Sequence, residues 1–586
     1  MAIASAPKRP AIGSRAIGRR LAQVARELAT PRTLVVGGVL IVVGYLAVVP
    51  LVYLLHDTFT GPTGFSLGAF TRAYTANSQA GQMMLNSLEF AVGSGALALC
   101  LGTLLAYVQV RTDAPLKGLF FAASLVPLII PGILYAAAWI FLADPRIGLI
   151  NVVLFQPILG HGLFNTFSMW GMIWVQGLHL APIAFLLMGA AFRSMDPALE
   201  EAALMAGAPR RVLLRRITMP LVRPAIVSAV LLMFVQSLES FEVPGLLGLQ
   251  NGIYVFTSRI YFVLRQFPID YGAAGAYALG LLAFAVVGVA ASGWLSRNAR
   301  GYQTVTGKAF RPRPMELGRA RPVVGALVVL FFAVAVVLPV AVLVYTSLLR
   351  FYSAPSLESL RTMSLANYRA VLHMPLATTA LRNSVLLGVG SATVVMFLTA
   401  VASWVVVRTR AMGRRLLDLV TFTPLVVPGL VLGLALSFVY LRTSLPIYGT
   451  LWILLIAYAT RYLPYGMRYA GAAMAQTSGE LEESAHICGA SWWQTFRRVL
   501  VPLASSGILA GWVYILVVSF RELSSSILLY SPGKEVLSIL IWEQFENGQF
   551  TTLAAIGVCM VAILVLLVLV AYRLGARFGV DAEGSR

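Results

Sequence analysis

The sequence predicts an all-α, polytopic membrane protein of about twelve transmembrane helices in two homologous six-helix halves. Three observations carry that expectation. Of 586 residues, 59% are hydrophobic and only 11% are charged, and the mean hydropathy is +0.83; a soluble globular domain carries about 25% charged residues. Apolar runs of roughly 20 residues, the length that crosses a bilayer, recur along the whole chain. One polar, charged segment occurs twice, at 201–220 and 483–502, with Glu, Ala, Gly, a β-branched residue and Pro at matching positions. In lipid the backbone must satisfy its own hydrogen bonds, so the apolar runs are expected to be helices.

Taken in order, the chain opens on a basic segment, 1–32, in which Lys8, Arg9, Arg15, Arg19, Arg20, Arg26 and Arg32 are opposed only by Glu27. The apolar stretch from 33 to 56 is longer than the roughly 7–15 residues of a signal-peptide core, so it reads as an uncleaved first span. It begins a first membrane domain, 33–295, with further runs near 84–110, 118–143, 165–191, 222–248 and 270–295. A linker, 296–321, carries Arg297, Arg300, Lys308, Arg311, Arg313, Arg319 and Arg321 against Glu316 alone. The second membrane domain, 322–577, has runs near 322–348, 380–407, 415–441, 450–474, 503–530 and 551–576, and a tail, 578–586, follows. If the spans alternate, every basic segment falls on one side, the positive-inside pattern. Both termini are therefore expected in the cytoplasm, and the net charge of +21 reads as a topological signal rather than a nucleic-acid footprint.

The duplication extends beyond the charged segment. Asn86-Ser87 recurs as Asn383-Ser384, Arg111-Thr112 as Arg408-Thr409, and Pro127-Leu128 with Pro131-Gly132 as Pro424-Leu425 with Pro428-Gly429. These share an offset of 297, whereas Pro182 and Pro464 are 282 apart, which places 15 additional residues in the first half, near 143–163. Both halves run in the same direction, so they can face each other across a pseudo-two-fold axis along the membrane normal.

The repeated segment has the chemistry of a short helix, a turn and a second helix. Asp196 and Ser478 suit N-cap positions. Acidic residues (Glu200, Glu201; Glu480, Glu482, Glu483) suit the positive end of a helix. Small residues at Ala202, Ala203, Ser484 and Ala485 leave a thin face that another protein can approach. Gly207 and Gly489 come where the helix should stop in a left-handed turn. Ser491 and Gln494 make a capping box for the next helix.

Glu201-Ala202-Ala203, Gly207, Ile217 and Pro220 resemble the EAA loop of type I ABC importer permeases, with Met219 in place of the usual Leu; the second copy departs mildly at Ser484, Val499 and Val501. Two such loops in one polypeptide resemble the fused permeases of the ferric-iron importer family, as do, more weakly, Ser237–Pro244 and Thr304–Lys308. The resemblance implies that each first short helix is a coupling helix entering a groove on an ABC ATPase subunit. It assigns docking to Glu200, Glu201, Ala202, Ala203, Gly207, Glu482, Glu483, Ser484, Ala485 and Gly489. It also implies a bacterial inner-membrane location, two ATPase copies and a periplasmic binding protein as partners.

No G-x-x-x-x-G-K-[ST] occurs, so ATP and magnesium are expected on the partner and no cofactor on this chain. His56, His161, His179, His373 and His486 are scattered, Cys100, Cys488 and Cys559 have no pairing or metal spacing, and no nucleophile–base grouping suggests an enzyme. Charges inside spans are costly and therefore candidate functional groups. Glu89, Glu239, Glu242, Arg521 and Glu522 are read as such, either as a cation path or as an ion pair, Arg521 with Glu239 or Glu242, that shuts an outer gate. Carboxylates suit a hard or organic cation, and the resemblance favours ferric iron, with thiamine, polyamine or phosphonate as alternatives. The competing class is an ion-gradient-driven secondary transporter, against which the paired loops argue.

Overall fold

The computed structural model describes residues 31–577 apart from 62–63, 76–77, 197, 298–314, 410 and 412. The basic segment 1–32, all but its last two residues, and the tail 578–586 lie outside the described residues, as does most of the linker 296–321. Among the described residues the fold is helical, with a single small hairpin pairing Thr60–Gly61 with Gly64–Phe65. The first half comprises α1 (Pro31–Phe59), α2 (Ala80–Arg111), α3 (Lys117–Ile129), α4 (Gly132–Ala143), α5 (Met169–Arg193), α6 (Ala198–Met205), α7 (Met219–Glu239), α8 (Phe256–Arg265) and α9 (Tyr271–Arg297). The second comprises α10 (Arg321–Phe332), α11 (Leu338–Leu348), α12 (Pro375–Arg408), α13 (Arg414–Phe422), α14 (Gly429–Arg442), α15 (Leu451–Gln476), α16 (Gly479–Ile487), α17 (Ser505–Phe520), α18 (Leu537–Glu546) and α19 (Phe550–Arg577).

Eight helices are long and apolar enough to cross a membrane, and eleven spans result if three bent pairs each count as one. The remaining place in the expected order of twelve is held by α15, 26 residues long, whose Arg461 and Arg468 lower its hydropathy. Within each half the second, fourth and fifth spans form the central packing unit: α2 with α5 and α7, and α12 with α15 and α17. Glycines let these backbones approach closely. A Cβ added to Gly102 would sit 2.6 Å from the Phe185 nitrogen.

The first span of each half packs on the other half. α1 lies against α12, α13 and α14, while α10 and α11 lie against α3 and α4. Tyr45 meets Tyr440 at 3.0 Å, Arg442 pairs with Asp57 at 2.9 Å, and the Tyr135 hydroxyl donates to the Ala335 carbonyl at 3.0 Å. The exchange ties the halves into one body.

The third span of each half is sharply bent, by 101° between α3 and α4 and by 109° between α13 and α14. The bends fall at Pro131 and Pro428, which lack an amide hydrogen and push the preceding residue out of helical geometry. The additional residues of the first half form a short hairpin-like excursion after α4. Buried Asn151 ties it together, donating to the Asp144 and Phe164 carbonyls and accepting from the Leu163 and Phe164 amides.

Candidate functional site

The two charged loops are largely exposed and match in geometry. Ser478 caps α16 through the Glu480 amide, and Asp196 does the same for α6 through Ala198. Each helix ends on a left-handed glycine, Gly207 at φ +76° and Gly489 at φ +80°, and the next amide returns to the carbonyl of Ala203 or Ala485. Ser491 and Gln494 form both bonds of the expected capping box. Glu201, Ala202 and Gly207 are exposed, as are Glu483, Ser484 and Gly489, while Ala203 and Ala485 are half-buried. Met205 and Ile487, again 282 positions apart, are 90% and 86% exposed. Sequence reasoning passed over this apolar pair, although strongly exposed large apolar side chains at a polar surface point to a partner.

Glu200 and Glu482 differ from their neighbours, since both turn inward. Glu200 approaches buried Arg111 at 3.1 Å and accepts from the Thr218 hydroxyl at 2.7 Å. The Arg111 Nε has no hydrogen-bond partner, and its Nη2 faces Glu200 as an ion pair without hydrogen-bond alignment. Glu482 accepts from the Trp404 indole at 3.1 Å. These two glutamates tie the loops to the membrane body, and the outward surface is left to Glu201 and Glu483.

A second constellation lies at the C-terminal ends of α7 and α17, where the halves meet. Arg461 of α15 stands between Glu522, at 3.1 Å, and Glu239 of the other half, at 3.8 Å. Glu522 also accepts from the Tyr462 hydroxyl at 2.7 Å and from the Ser525 amide and hydroxyl at 3.0 Å. Arg521 makes no ion pair with Glu239 or Glu242 among the described residues. Its guanidinium donates to the Leu128 carbonyl, an acceptor at the end of α3 beside the break before Pro131. The expected partner of Glu239 is thus replaced by Arg461, which the sequence reading left out although it falls inside the span drawn at 450–474. Glu242 lies beside Gly132 and His179, and His179 is the first-half counterpart of Arg461 at the offset of 282. Glu89 does not join this cluster. It is exposed on a stripe of α2 with Leu85, Leu88, Val92 and Leu104, the outward apolar surface.

Outside the charged cluster, α8 and α18 meet on the pseudo-two-fold axis. Tyr261 and Trp542 are 281 apart in the chain and touch, the indole donating to the phenol at 3.2 Å. Arg265 and Glu546, at the same offset, pair at 3.2 Å. Phe241 closes the space beneath, 5.1 Å from Tyr261 and 5.0 Å from Trp542 between ring centres. No group of three or more His, Cys, Asp or Glu side chains that could hold a metal occurs among the described residues.

The model of the binding-protein-dependent transport system inner membrane component family matches residues 98–302 and again 384–579, more than half of the chain. The chain belongs to this family. It carries the permease domain twice, once in each half, and is a multi-pass inner-membrane component of a transport system of the ABC type. It is 27% identical over 411 residues to the ferric transport system permease protein FbpB of Actinobacillus pleuropneumoniae, covering 68% of this chain and 57% of the relative. The chain thus spans little more than half the length of that relative. It is 25% identical over 460 residues to the Fe(3+)-transport system permease protein FbpB 2 of Haemophilus influenzae, covering 77% and 82% respectively. Among solved structures, a bacterial ABC transporter involved in import of the acidic polysaccharide alginate aligns at 16% identity, with a TM-score of 0.32, over 45% of this permease and 99% of the aligned chain.

Proposed function

We propose that this permease is the membrane-spanning subunit of an ATP-driven importer that takes substrate from a periplasmic binding protein and engages a separate ATPase at its two loops. The observation that supports this best is the equivalence of the loops: left-handed Gly207 and Gly489, exposed Glu201 and Glu483, exposed Met205 and Ile487. A gradient-driven carrier has no ATPase to dock, so a matched pair of exposed loops favours the ATP-driven reading. In this reading the loops and both termini face the cytoplasm, and each loop receives one ATPase copy, which carries the ATP and magnesium.

Ferric iron is the proposed substrate. Similarity to ferric permeases supports it. Thiamine, polyamine and phosphonate are the alternative substrates. The axial contact of Tyr261 with Trp542 and the Glu239–Arg461–Glu522 chain act together as the closed outer gate, with Arg461 as the cation that holds it. Purification of the tagged permease with a co-expressed ATPase tests the docking. The wild type should retain the ATPase, and Met205→Glu with Ile487→Glu should release it. Full retention by that double variant would refute the assignment of the loops.

A further inference from the structure

A cavity of about 490 Å³ lies between α15 and α17, toward their loop-side ends, lined by Tyr465, Arg468, Tyr469, Gln476, Ser506 and Tyr514 among others. It occupies the face of α15 that carries Arg461, one turn and more nearer the loops. Tyr514 stacks obliquely with Tyr465 at 5.5 Å and with Tyr469 at 5.6 Å. Arg468 rests over the Phe422 ring at 5.8 Å and enters no ion pair among the described residues.

The duplication supplies an internal control. At the offset of 282, Tyr465, Arg468, Tyr469 and Tyr514 correspond to Ile183, Leu186, Leu187 and Leu232. The same backbone frame is thus built with aliphatic side chains in the first half. Polar and charged groups within a span cost free energy and persist where they serve a function. Packing does not require them here, since the first half does without.

We infer that this cavity is an anion-binding site, present in the second half alone, for a small species bearing carboxylate or phosphate oxygens. Its one charge is the Arg468 guanidinium, a planar fork that matches such oxygens. The phenols of Tyr469 and Tyr514 and the Gln476 amide supply further hydrogen-bonding groups, the Tyr465 hydroxyl being engaged with Gln236, and no carboxylate lines the cavity to oppose an anion. A bare cation finds only positive charge there. The oxyanion has two possible sources, a soluble molecule or the headgroup of an acidic lipid. The assignment does not depend on what the permease transports.

The test uses the full chain in nanodiscs of neutral phosphatidylcholine, titrated calorimetrically with phosphate and with citrate. Saturable binding is expected, weakened about tenfold or more by Arg468→Gln and about fivefold by Tyr469→Phe, as loss of a charged or a neutral hydrogen bond implies. Leu187→Ala at the matching point of the first half should leave it unchanged. If neither soluble anion binds, native mass spectrometry of discs doped with phosphatidylglycerol decides the source. Lipid retained by the wild type and lost by Arg468→Gln assigns the site to the headgroup. Absence of both kinds of binding, or binding indifferent to Arg468→Gln and Tyr469→Phe, overturns the inference.

Discussion

In the first half, Arg111 at the end of α2 reaches Glu200 of the loop across 3.1 Å. In the second half its equivalent, Arg408, instead donates to the Met474 and Thr477 carbonyls, and Glu482 is left to the Trp404 indole. Trp404 in turn packs on Trp492 at 4.9 Å, and Trp492 on Phe496 at 5.5 Å. The outward sides of the same loops have stayed alike, down to the turn glycines and the exposed apolar tips. Buried anchors need only satisfy one another, so any complementary set will serve. An exposed surface that must fit a partner has no such freedom. By the same argument the walls of the α15–α17 cavity and the first-half residues at the matching positions, which differ in chemistry, do not serve the same partner.

The largest expected effect comes from breaking the Arg461–Glu239 contact, one of several that join the halves. Arg461→Ala leaves Glu239 and Glu522 facing each other without a cation, a loss of about 3–5 kcal/mol for a buried pair. Thermal unfolding in nanodiscs should show it, and Glu239→Gln added to Arg461→Ala should recover part of it. Next, Arg111→Met strands Glu200 beside Thr218 and should cost about 3 kcal/mol. Trp404→Phe removes one neutral donor from Glu482 and should cost about 1 kcal/mol. Equal losses at the two sites would remove the contrast between ionic and aromatic anchoring. Gly207→Val and Gly489→Val force a side chain into a left-handed turn at about 1–2 kcal/mol each. Their equality, measured by unfolding and by ATPase retention, would sharpen the claim that the outward geometry is shared. The smallest effect concerns the exposed pair of Arg72 and Asp270, 2.7 Å apart. The hydrogen bond from Arg72 holds the Asp270 carboxyl below its usual range. Its contribution, at most about 1 kcal/mol, is therefore present above the usual aspartate range and lost as pH falls through the lowered folded value. Asp270→Asn should lower the unfolding temperature slightly at pH 7, and the difference should shrink as pH falls below the usual aspartate range.

The spans, their duplication and the loop turns were legible because each rests on local signals: hydropathy, caps, glycines and prolines. The additional residues after α4 showed in the change of offset. Exchange of the first spans was not legible, since a hydrophobic run does not say which half it packs on. The partner of Glu239 was misjudged for a related reason. Arg521 and Glu239 occupy equivalent positions in the two halves, which suggested a pair, yet Arg521 ends α17 within reach of the Leu128 carbonyl freed by the bend at Pro131. Arg461 was readable as an arginine inside a span and was overlooked. Glu89 misled because its position in a span gives no facing direction, and on α2 it turns outward among leucines.

The central claim is that two equivalent loops couple this permease to ATP hydrolysis by a partner. Reconstitution of the permease with its ATPase and binding protein, followed by uptake of radioactive iron into proteoliposomes, tests it most directly. Uptake should require ATP and all three components, and should fall to background when Gly207→Val and Gly489→Val are combined. Uptake by the permease alone under an ion gradient, indifferent to ATP and to both glycine changes, would contradict the account.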